Sequence, residues 1–209
     1  MKTFKICRSN TAGDNKNTFY PTEVNITSID DMKCVVRFDH VGAKFKDSIR
    51  SNNNFIESNV IIMDCDNDHT DKSEEWMTPP KLHAFYPDLT FIAVSSKNNM
   101  KPKGNFSARP RHHYYFPLEN KIDNALEYSN SKRLIQTKMS FFDKNALDSA
   151  RFIFGVDNSS IELFEGTNTD DKLLQNQLQS YNLDDENDFE SILEKFEQNK
   201  NLITEGNRN

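Results

Sequence analysis

Long apolar runs are missing from this 209-residue chain. None approaches the roughly 20 residues that a bilayer-spanning helix requires, and no membrane association is expected. Met1 to Asp14 is too polar and mixed to read as a secretory leader. Cysteine is scarce: Cys7, Cys34 and Cys65 fall at no paired spacing. That argues against a disulfide framework and for a reducing, cytoplasmic setting. No G-x4-G-K-[ST] run occurs, which excludes a P-loop ATPase within this chain. No internal repeat is visible, and hydrophobic residues make up only 35% of the sequence.

What is present is aromatic and segregated by charge. Sixteen Phe, six Tyr and one Trp supply the large apolar surface from which a core can be built. The net charge of −6 conceals a division, because residues 161–209 hold 12 acidic against 4 basic side chains. The first 160 residues therefore carry 20 acidic against 22 basic groups, a net of +2. Within them, Leu89 to Leu118 contains no Asp or Glu after Asp88 but includes Lys97, Lys101, Lys103, Arg109 and Arg111. Such a stretch suits phosphate.

Periodicity predicts peripheral strands before residue 31, a strand over Met32–Phe38 and a helix over Val41–Ile49. Asn59–Met63 reads as a buried strand, and Thr78-Pro79-Pro80 as a helix start ended by Pro87. Leu89–Ser95 is expected as a strand, Ser96–Ala108 as a loop and Arg111–Phe116 as a strand. A helix over Asp123–Thr137 precedes strands at Met139–Phe142, Arg151–Gly155 and Ile161–Phe164. Two more helices are expected around Asp171–Tyr181 and Asp188–Leu202.

The chemistry concentrates in Asn59-Val60-Ile61-Ile62-Met63-Asp64-Cys65-Asp66-Asn67-Asp68. Alternate side chains of an extended chain share a side, so Asp64 and Asp66 sit together at a strand end. Two carboxylates that close repel unless a proton or cation intervenes, and all-oxygen ligands favour Mg2+ or Mn2+. A calcium EF-hand is disfavoured, since His69 and Asp71 occupy the positions that need glycine and an apolar residue. Cys65 and His69 lack the second close pair that a zinc site requires. Arg109, Arg111 and His113 recur at two-residue intervals and would line three phosphate-seeking groups along one strand face if the extension continues through Pro110. Phe141-Phe142-Asp143 ends in a further carboxylate, with Arg151 eight residues on; Asp148 is the alternative third acid. Together these fit metal-assisted phosphoryl chemistry, with a nuclease or phosphohydrolase and a passive single-strand binder as competing readings. Purely structural caps remain open for each aspartate.

Three of these elements, Ile62-Met63-Asp64-Cys65-Asp66, Arg111-His112-His113 and Phe142-Asp143, resemble the motifs of the archaeo-eukaryotic primase superfamily. The similarity is to primase-polymerases of plasmids, phages and other mobile elements, and it extends over about residues 30–166. Arg111 stands where many members carry serine. The resemblance implies an α+β fold, with an antiparallel catalytic core of the RNA-recognition-motif kind and an additional α/β lobe. It implies a catalytic domain over residues 1–166 and an acidic helical extension over 167–209. The implied reaction is template-directed nucleotidyl transfer by a DNA primase or polymerase, with two Mg2+ or Mn2+ ions held by Asp64, Asp66 and Asp143. Arg109, Arg111, His113 and Arg151 would grip the triphosphate. Implied partners are a single-stranded DNA template with primer, NTP or dNTP, and a helicase domain or protein, in the cytoplasm of a bacterial or phage-infected cell.

Overall fold

Residues 1–166 are described by a computed structural model; the extension over 167–209, including both helices expected there, lies outside the described residues. The chain begins with β1 (Phe4–Arg8) and β2 (Thr22–Ile26), then α1 (Ile29–Val35) and two short strands, β3 (His40–Val41) and β4 (Lys44–Phe45). The long strand β5 (Phe55–Cys65) leads through α2 (Pro79–Phe85) to β6 (Phe91–Ser95) and a hairpin of β7 (Lys101–Lys103) and β8 (Phe106–Arg109). A second long strand, β9 (His112–Ile122), is followed by α3 (Ala125–Lys138), β10 (Phe152–Ile153) and β11 (Ile161–Phe164).

The architecture is α+β with antiparallel sheets. A five-stranded sheet runs β11-β6-β9-β5-β4, and a four-stranded sheet runs β10-β3-β1-β2. One face of the larger sheet, carrying Val60, Ile62, Ile92, Val94 and Tyr115, packs on Phe4, Ile6, Met32 and Val35 of the smaller sheet and α1. Its other face, with Ile61, Met63, Ala93, Tyr114 and Phe116, packs on Leu82 of α2 and on Tyr128 and Ile135 of α3. Because both faces are covered, the middle of β5 reads as an unbroken apolar run rather than an alternation. Each fully buried aliphatic side chain there contributes roughly 1.5–3 kcal/mol. No helix among the described residues is long and apolar enough to cross a membrane.

Several local expectations are corrected. Met32–Phe38 is not a strand: α1 runs through most of it, and Met32, Val35 and Val36 are buried at helical spacing. Ser28 caps that helix by accepting from the Asp31 amide, while Asp31 accepts from Thr27 and Ser28. Val41–Ile49 is not a helix, because Val41 pairs with both Cys7 and Phe152 and Phe45 pairs with Phe55. Gly42 lies so close to the larger sheet that an added Cβ would stand 3.0 Å from Ile62. Met139–Phe142 is a turn after α3 rather than a strand, with Phe141 and Phe142 driven into the core. The expected loop over Ser96–Ala108 contains the β7–β8 hairpin. Its turn uses Gly104 at φ +57°, where a side chain is disfavoured.

Candidate active site

The ends of β5, β9 and β6 set the frame. Asp64 stands opposite His113, which in turn stands opposite Val94, and Cys65 stands opposite His112. Directly opposed residues of antiparallel strands share a face, so Asp64 and His113 meet: His113 Nδ1 lies 2.7 Å from Asp64 Oδ1. The second carboxylate oxygen of Asp64 accepts from Arg151 at 2.9 Å and 3.2 Å. Its backbone carbonyl accepts from the Asp143 amide at 2.8 Å, which docks the segment after α3 along the end of β5.

Asp64 is nearly buried, whereas the Arg151 side chain retains 39% of its exposure, so the site opens on the arginine side. Burial would raise the Asp64 carboxyl, but His113 first and Arg151 second outweigh it and hold the group well below the usual carboxylate range. It is a fixed anion. The Asp143 side chain accepts from the amide and the side chain of Asn145, and Asp148 accepts from the Ala150 amide. The backbone bond ties Asp143 directly to β5.

Beyond β5 the acids and bases alternate like rungs. Lys103 of β7 donates to Asp66, and Arg111 Nε lies 3.8 Å from the same carboxylate. Arg111 also reaches Asp68 at 3.3 Å and the carbonyls of Lys101 and Asn98 at 2.7 Å and 3.2 Å. Arg109 donates to the carbonyls of Asn67 and Thr70 and to Asp71 at 2.8 Å, beneath the rings of Trp76 and Phe106. Both guanidiniums are wholly buried. The structure thus separates what the two-residue spacing suggested: His113 joins Asp64, while Arg109 and Arg111 are tied to the loop after β5. Pro110 interrupts the extension between β8 and β9, so the three side chains do not line one open face.

The carboxylate oxygens suit a hard divalent ion. In this arrangement, however, each of Asp64 and Asp66 is paired with a basic side chain. Among the described residues no three His, Cys, Asp or Glu groups converge closely enough to hold a metal. Metal entry at these acids would exchange one cation for another.

No protein-family model and no curated protein matches the chain. Among solved structures, the AEP domain of a cyanophage S-2L primase-polymerase (PrimPol) is similar at 12% identity and a TM-score of 0.46. The alignment covers 84% of this chain and 88% of that one.

Two features of the site escape a reading of the sequence. Lys132 of α3 is wholly buried, in the field of Asp64, Asp148, Arg151 and Asp143. Its spacing from Tyr128 and Ile135 places all three on one helix face, and that spacing is a signal the sequence does carry. His40 lies under the site, its Nδ1 donating to the Phe38 carbonyl at 2.7 Å and its Nε2 accepting from the Tyr115 hydroxyl at 2.6 Å. Tyr114 and Tyr115 are both wholly buried and present no surface on which a base can stack.

Proposed function

We propose that this chain is a template-directed nucleotidyltransferase of the DNA primase-polymerase kind. The observation that carries the reading is the meeting of three separate stretches at one sheet end: Asp64 from β5, His113 from β9, and Asp143 and Arg151 from the segment after α3. In this reading Asp64, Asp66 and Asp143 would hold Mg2+ or Mn2+ only after Asp64 gives up His113 and Arg151 and Asp66 gives up Lys103. Bound there, the ions would offset the charge of a nucleoside triphosphate and make a primer 3′-hydroxyl more acidic. Arg151, partly exposed and released from Asp64, takes a phosphate oxygen. His113, bonded to Asp64 through Nδ1, would become a hydrogen-bond donor to phosphate and not a general base. Arg109 and Arg111, expected from the sequence to grip phosphate, instead hold the acidic loop in place, because burial leaves their guanidiniums facing protein acceptors. The substrates are a single-stranded template with its primer and NTP or dNTP.

The test is incorporation of labelled nucleotides on a primed single strand with Mg2+ or Mn2+, alongside Mn2+ binding followed by water-proton relaxation. Asp64→Asn and Asp66→Asn are expected to lower incorporation by about 100-fold or more and to weaken Mn2+ binding. Unchanged synthesis by folded variants would remove the carboxylates from the reaction. Degradation of the strand without incorporation would make the protein a phosphohydrolase.

A further inference from the structure

We infer that the β7–β8 hairpin is a docking surface for single-stranded nucleic acid, placed beside the carboxylate end of β5. The inference extends the nucleotidyl-transfer reading by naming the surface on which the strand lies. Every residue from Met100 to Ser107 is exposed. Met100 and Phe106 are among the few large apolar side chains that the described residues leave in water, at 59% and 36% exposure. They are interleaved with Lys101 and Lys103, and Lys97 lies just before the hairpin. The stretch from Leu89 to Leu118 carries no carboxylate of its own, and the acids that approach it from the loop after β5, Asp66, Asp68 and Asp71, are paired with Lys103, Arg111 and Arg109.

Charge and ring together select the occupant. A basic surface alone would take any polyanion, but an exposed aromatic ring among lysines adds a platform on which an unpaired base stacks. A duplex keeps its bases stacked on one another and offers no such face. The platform is also braced from below. The Arg109 guanidinium lies 4.8 Å from the Phe106 ring centre, and Arg111 ties the Lys101 carbonyl to the strand leaving the hairpin. Lys103 meets Asp66, so a strand on the hairpin runs past the proposed catalytic carboxylates. Lys101 donates to the Lys97 carbonyl and stays exposed for phosphate.

The experiment measures binding of the full chain to labelled single-stranded DNA, single-stranded RNA and duplex DNA by fluorescence anisotropy over a salt series. Phe106→Ala is expected to weaken single-strand binding about fivefold or more while Phe106→Trp retains it, since a base stacked on an aromatic ring loses roughly that much or more when the ring is removed. Lys101→Glu is expected to weaken it and to flatten its salt dependence. Duplex affinity should not respond to Phe106→Ala. The DNA and RNA arms show which sugar the surface accepts. Unchanged single-strand affinity in both variants overturns the inference, as does an equal loss on duplex. So does a native chain that binds neither single strand, which would leave the hairpin to a protein partner. Single-strand binding by the native chain without nucleotide incorporation would sink the nucleotidyl-transfer reading and leave the surface standing. Incorporation with hairpin variants that bind normally would do the reverse.

Discussion

Lys132 shows how much a single residue can reveal. Burial brings its pKa down to about 8, against the opposing pull of Asp64 and Asp148. In the unfolded chain the same amine titrates near 10.5. Between about pH 8 and 10.5 the unfolded state therefore holds more protons at this position, and the contribution of Lys132 to stability rises with pH. Urea denaturation of the native chain and of Lys132→Met at pH 7.5 and at pH 10 isolates this contribution. The stability difference between native and variant should move in favour of the native chain by on the order of 2 kcal/mol as pH rises. A constant difference would mean that the amine is hydrated in the folded protein.

At the scale of elements, the connection between the two ends of the smaller sheet depends on one buried acid. Asp39 accepts from the amides of Gly13, Asp14 and Gly155 at 2.8, 2.9 and 2.7 Å. It joins the loop after β1, the turn before β3 and the segment after β10. Gly155 can come this close only without a side chain, since a Cβ there would stand 2.6 Å from the Arg37 carbonyl oxygen. Asp39→Ala should cost about 3 kcal/mol by leaving three amides without their acceptor, read as a lowered thermal midpoint. Asp39 carries no sequence pattern, because its partners lie up to 116 residues away.

Distance along the chain also decides what is legible elsewhere. The apolar run before Asp64 and the Asp64-x-Asp66 spacing are enough to place β5 and its acids at a strand end, and Arg111–Phe116 is enough for the core of β9. Short strands such as β3 and β4, at two residues each, carry too few positions to show a period. The helix α1 reads as a strand because Cys34, Val35 and Val36 in succession satisfy either period until capping by Ser28 decides. Whether Arg109 or Arg111 faces solvent depends on a loop 42 and 43 residues earlier in the chain, which no local spacing records.

For the molecule as a whole, the covered faces of the larger sheet govern its response to acid. Burial holds the pKa of His40 and of His112 at about 4, and the unfolded chain would protonate both near 6.5. As pH falls from about 6.5 to 4 the unfolded state gains protons that the folded state refuses, so stability falls through that window by up to about 3 kcal/mol per histidine. Asp64 acts lower. Its carboxyl is held below the ordinary range, so its contribution is intact above about pH 4 and lost only as pH drops further. Chemical denaturation at pH 7, 6 and 5 should show a progressive loss before most carboxylates begin to titrate. A flat profile down to about pH 5 would mean that both imidazoles can ionise in place.

The bond between Lys103 and Asp66 has a thermodynamic consequence. One ammonium group belongs to the hairpin and one carboxylate to the end of β5, so in the proposed reaction phosphate would draw on one half of a single ion pair and a metal ion on the other. A strand that drew Lys103 away would free Asp66 for a cation, and a cation on Asp66 would free Lys103 for the strand. Linkage requires the two effects to be equal, so whatever factor the strand adds to metal affinity, the metal returns to the strand.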